Sequence, residues 1–89
     1  MKIVLVPGIY CEHSAQGGMV IASIVQGKFY QLNQTWAWYL VNILAHDNVK
    51  DVLIKAEQNF ADVTTCTLEG DIRVLIAELL KKNIIQLVE

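Results

Sequence analysis

With 89 residues, 54% of them hydrophobic, the chain can form one domain with a thin core and is too apolar to be disordered. Seven basic and nine acidic residues give a net charge of −2, which attracts neither nucleic acid nor an anionic membrane. A chain this short has little room for a deep, walled active site beside its core, so composition favours binding over catalysis.

The opening Met1-Lys2-Ile3-Val4-Leu5-Val6-Pro7 resembles the start of a signal peptide. Its apolar run stops at Pro7-Gly8, and no small-residue cleavage site follows. No stretch approaches the roughly 18 apolar residues a spanning helix needs, so a cytoplasmic protein is expected, with no membrane partner. A first strand is expected around residues 8–14, turning at Ala15-Gln16-Gly17-Gly18. The β-branched run Met19–Val25 follows as a second strand. A turn at Gln26-Gly27 then leads into a third, Lys28-Phe29-Tyr30-Gln31-Leu32.

Beyond Leu32 the period changes from strand to helix. Asn33 can cap a helix over about residues 34–45, with Trp36, Tyr39, Leu40, Ile43 and Leu44 on its apolar stripe. Asp47 or Asn48 caps a second helix to about Asn59, burying Val49, Val52, Leu53 and Ala56. Thr67 starts a third helix, with Asp71 in its first turn and Lys81-Lys82 at its C-terminal end, as the helix dipole prefers. Its stripe is Ile72, Leu75, Ile76, Leu79 and Leu80, and residues 84–88 trail off extended. The expected architecture is α+β, a single domain over 1–89 with β-β-β-α-α-α order and a winged helix-turn-helix-like arrangement.

Catalytic inventory is poor: there is no G-x-S-x-G, no phosphate-cradling loop and no paired carboxylates with an evident cleft, so no enzyme and no cofactor are expected. Cys11 and His13 share a strand face, but no second ligand pair accompanies them for a structural metal. His46 is better read as a cation at a helix C-terminus. Cys11 and Cys66 suit two reduced thiols, with a single bridge as the alternative. The third helix carries Glu69, Asp71 and Glu78 against Arg73, Lys81 and Lys82, a poor match to a phosphate lattice, so no nucleic acid is expected. Trp36 and Trp38 are read as helix-to-sheet packing.

A sheet of three strands leaves an edge, and Lys28–Leu32 is its natural candidate. Such an edge is either a liability or a docking site for an extended peptide. Val74, off the centre of its helix stripe and flanked by Asp71 and Glu78, can form the far wall of a groove beside it.

The run Phe29-Tyr30-Gln31-Leu32-Asn33-Gln34-Thr35 resembles the aromatic-Tyr-x-Leu-Asn-x-Thr passage of the PqqD-like family, the RiPP recognition elements. Asp71-Ile72, Leu75-Ile76, Leu79 and Ile84 resemble that family's closing pattern. The resemblance covers about residues 18–88. It departs at Trp36 and Asn83, where the family often has Gly, and neither position is expected to touch the groove. The resemblance implies a protein that binds the leader of a ribosomally made precursor peptide as an added strand. It implies a strand face of Lys28, Phe29, Tyr30, Gln31 and Leu32, and a helix wall of Asp71, Val74, Leu75 and Glu78. The partners implied are the precursor leader and a leader peptidase or other maturation enzyme, as in lasso-peptide biosynthesis, with the protein itself monomeric. A chaperone for a radical maturation enzyme, or a winged-helix nucleic-acid module, is the alternative. Asp71 and Glu78 are expected to select a Lys or Arg of the leader. Tyr30→Pro is expected to remove a ladder donor and abolish capture.

Overall fold

The computed structural model describes residues 2–46 and 48–89, so Met1 and the alternative cap Asp47 lie outside the described residues. Strands β1 (Lys2–Leu5), β2 (Ile9–His13), β3 (Met19–Ser23) and β4 (Lys28–Leu32) precede helices α1 (Gln34–Ala45), α2 (Val49–Asn59) and α3 (Thr65–Lys81). A last strand, β5 (Ile85–Val88), closes the chain. The meander β2-β3-β4 is antiparallel throughout. The α+β class, the three-stranded sheet and the three helices are therefore present as expected.

The β-β-β-α-α-α order is incomplete. β1 and β5 form a second, two-stranded antiparallel sheet in which Lys2 pairs with Val88 and Leu5 with Ile85. The opening apolar run is thus structural, and the expected loose tail is its partner. The second strand of the meander also ends earlier than expected. Ile24 and Val25 fall in the turn with Gln26 and Gly27, 68% and 84% exposed, because Gly27 at φ 64° reverses the chain there.

Helix starts follow cap chemistry. Asn33 Oδ1 accepts from the Trp36 backbone N–H at 2.8 Å, and Asn48 Oδ1 from Asp51 N–H at 2.9 Å. α3 begins at Thr65, earlier than the expected Thr67, because Thr64 is the cap and its hydroxyl accepts from Thr67 N–H. Asp71 consequently lies beyond the first turn, which holds no acid. At the other end Asn83 takes φ 57°, Asn83 N–H donates to Leu80 O, and Ile84 N–H donates to Leu79 O at 2.9 Å. These are the two bonds of a Schellman stop, and they turn the chain toward β5.

The core sits between the inner faces of both sheets and the helices: Ile21, Leu40, Ile72, Leu75 and Ile84 are all 0% exposed. Each such side chain contributes about 1.5–3 kcal/mol over leaving it in water. Trp38, Tyr39 and Phe60 pack edge-to-face, with centroids 5.1 to 5.8 Å apart, joining α1 to the end of α2.

Candidate functional site

Among the described residues, β4 pairs with β3 on one side and with no strand on the other. Which of its backbone groups face the open side follows from the ladder. Ile24 N–H donates to Gly8 O and Ser14 N–H to Gly18 O, so the pairs 8/24 and 14/18 are hydrogen-bonded ones. Hydrogen-bonded and non-bonded pairs alternate in an antiparallel ladder. With the observed register, Gly18, Val20 and Ala22 direct their backbone groups to β2, and Met19, Ile21 and Ser23 direct theirs to β4. Their partners Leu32, Tyr30 and Lys28 are consumed in the sheet. The N–H and C=O groups of Phe29 and Gln31 are left on the open edge.

Beside that edge runs α3, and between them lies a groove of about 550 Å³. Tyr30, Gln31, Leu32, Asn33 and Trp36 border it on one side, and Val74, Glu78, Leu79, Lys82 and Ile84 on the other. Tyr30 and Leu32 are half-buried whereas Phe29 and Gln31 are exposed, so the strand's pleat turns Tyr30 and Leu32 inward toward the helices. Leu79 and Ile84, 2% and 0% exposed, form an apolar floor.

One end of the groove is fixed by a polar chain. The Tyr30 hydroxyl donates to Gln26 Oε1 at 3.0 Å, and Gln26 Nε2 donates to the Lys82 carbonyl at 3.0 Å. Lys82 Nζ donates to Glu78 Oε2 at 2.7 Å and stands 6.0 Å from the Tyr30 ring centroid. That hydrogen bond, and then the charge of Lys82, hold the Glu78 carboxyl below its usual range. The turn before β4, the strand and the C-terminal end of α3 are thereby tied together, which sets the spacing of the two walls.

Of the residues expected from sequence, Tyr30, Gln31, Leu32, Val74 and Glu78 border the groove. Lys28, Phe29, Asp71 and Leu75 do not. Lys28 lies at the strand's far end. Phe29, 76% exposed, points to the outer face of the sheet in one cross-strand row with Ala22 and Tyr10. Leu75 is wholly in the core. Asp71 is exposed; its carboxylate adds to burial, the larger cause, in raising the Tyr39 hydroxyl pKa. Of that acidic pair only Glu78 borders the groove, and it is paired with Lys82. Asn33, Trp36, Leu79, Lys82 and Ile84 border the groove without having been expected there. Lys82 was legible as i+4 from Glu78 on the same face, and Trp36 was assigned to the core because its spacing fits the α1 stripe.

Elsewhere, Cys11 and Cys66 are both free thiols, and burial pushes the Cys11 thiol up. Among the described residues no three His, Cys, Asp or Glu side chains come together to hold a metal ion. His46 caps α1, its Nδ1 within 2.8 Å of the Asn42 carbonyl oxygen. No helix of the described residues is long and apolar enough to cross a membrane.

No family model matches the sequence, and no curated protein matches it. Two solved structures do. A lasso peptide synthetase B1 complexed with the leader peptide aligns with a TM-score of 0.88 at 24% identity, over 98% of this chain and 100% of that one. TbiB1 in complex with the TbiA(beta) leader peptide aligns with a TM-score of 0.81 at 16% identity, over 100% of this chain and 99% of that one. The chain has the fold of these two leader-peptide-bound proteins over all or nearly all of its length.

Proposed function

We propose that this protein binds the leader of a ribosomally made precursor peptide, without catalysing a reaction, by accepting it as a fourth strand on β4. The observation that carries the reading is the open edge of β4, with two residues' backbone groups unused, lying beside an apolar groove walled by α3. An incoming strand would pair with Phe29 and Gln31, and every second side chain of it would enter the groove between Tyr30, Leu32 and Val74. The shared fold with two proteins solved with leader peptides supports the same reading, and it favours a lasso-peptide system over a chaperone for a radical enzyme. A leader peptidase or other maturation enzyme would then receive the captured leader from a monomeric, cytoplasmic module.

The winged-helix alternative, binding nucleic acid through α3, is poorly supported. Arg73 is already paired with Glu69, and Lys82 just past the helix with Glu78, each at 2.7 Å, which leaves Lys81 as the unpaired cation of that helix among the described residues.

The test is calorimetric titration with a synthetic peptide copying the leader of the precursor encoded beside this gene. Binding at micromolar or tighter affinity, about −8 kcal/mol, is expected. Gln31→Pro removes an N–H on the open edge, where edge strands tolerate proline, and should keep the fold while weakening binding at least about tenfold. Tyr30→Pro instead removes a donor to β3 and should damage the sheet itself. A folded Gln31→Pro protein that binds with unchanged affinity rules out strand addition.

A further inference from the structure

Trp36 fits the α1 stripe by spacing, yet it is only half-buried and borders the groove. Its backbone is fixed as the residue capped by Asn33, its side chain is half-buried against the core, and the same side of the helix start borders the groove. Among the described residues its indole N–H donates to no protein atom, whereas the charged groups of the groove, Glu78 and Lys82, are engaged with each other beside Tyr30. Trp36 enters where β4 passes into α1, beyond Leu32. The part of the groove nearest Trp36 and Leu32 therefore offers an aromatic face and an aliphatic side chain.

We infer that Trp36 is a specificity-determining residue of the groove: its indole is the wall against which one bulky apolar side chain of the bound peptide packs. The inference rests on the reading of the groove as a peptide site. In an added strand, the side chains opposite Tyr30 and Leu32 share their face of the sheet. The one at the Leu32 end meets Trp36, gaining aromatic contact area while leaving no buried charge.

The experiment uses the Trp38→Phe protein, in which Trp36 is the one remaining tryptophan, and the same synthetic leader peptide. Trp38 packs on Tyr39 and Phe60, away from the groove. At calorimetric saturation the Trp36 emission should shift to the blue and become protected from acrylamide. An alanine scan of the peptide should find one apolar position whose loss weakens binding about tenfold in the wild-type protein. That penalty should largely vanish in Trp36→Ala and largely persist in Trp36→Phe. If the peptide binds but the emission does not move, or no peptide position is coupled to Trp36→Ala, the inference fails and peptide binding stands. If no heat is released by any leader encoded nearby, the peptide reading fails and takes the inference with it. The emission readout keeps the native Trp36, so it decides the matter even where Trp36→Ala does not fold.

Discussion

Val74 and Leu75 are adjacent in sequence and about 100° apart around α3. The first is 54% exposed at the groove and the second is 0% exposed in the core. The two substitutions to alanine should therefore separate binding from folding. Leu75→Ala leaves a cavity and should cost about 2–5 kcal/mol of stability, read as a lower urea midpoint. Val74→Ala should stay within about 0.5 kcal/mol in stability while weakening peptide binding. An unchanged midpoint for Leu75→Ala would contradict its place in the core. Glu78 gives a pH-dependent counterpart. Its folded-state pKa is lowered from 4.5 by Lys82, so its contribution is fully present above the unfolded value and is lost as pH falls through the folded one. The Tm difference between wild type and Glu78→Gln should therefore be flat near neutrality and close as the solution is acidified below 4.5. A Tm difference that stays constant down to strong acid would mean that the Lys82 contact does not form in solution.

At the scale of elements, the β2-β3-β4 meander depends on one close approach that the sequence marks only as a glycine pair. A Cβ on Gly18 would stand 2.5 Å from the Leu32 carbonyl oxygen, a backbone atom that cannot swing away as a side chain can. Gly18→Ala should push the end of β4 outward, at a cost of about 1–3 kcal/mol. Because Leu32 borders the groove, peptide affinity should fall with it, checked by a urea melt and a titration on one preparation. A neutral Gly18→Ala would mean that the Leu32 carbonyl is not held there. The meander itself was legible because each of its pairings is local: β-branched runs lie between glycine-bearing turns, and each hairpin closes over a few residues. Ile24 and Val25 misled for the same reason, since β-branched residues read as strand wherever they stand, and only the left-handed Gly27 shows that the chain has already turned. Val74, off the centre of the α3 stripe, borders the groove beside the edge strand. Its neighbours Leu75 and Asp71 could not be separated from it without knowing how far the helix rolls against the sheet, which packing decides and periodicity does not.

For the molecule as a whole, the least legible feature is the one that holds both ends. β1 and β5 pair across almost the full length of the chain, Lys2 with Val88, and no local signal announces a contact so distant. The pairing continues past β1, where Val6 N–H donates to Ile84 O at 2.9 Å. Ile84 is the point where the small sheet, the Schellman stop of α3 and the groove meet, so the first strand reaches the proposed binding site through a single residue. Ile3, Val4, Leu5 and Val6 are each half-buried, so deleting residues 1–6 should forfeit about 3–5 kcal/mol of apolar burial. Total stability for a domain of this size is of order 4–13 kcal/mol. The truncated protein should unfold at a much lower urea concentration, expose apolar surface to a hydrophobic dye, and lose peptide affinity even though none of residues 2–6 borders the groove. The opposite result, an unchanged midpoint with full affinity, would mean that the Schellman stop alone holds Ile84 in the floor and that the two-stranded sheet is an appendage. A lowered midpoint with full affinity in the folded fraction would assign β1 to stability and leave the groove to β4 and α3.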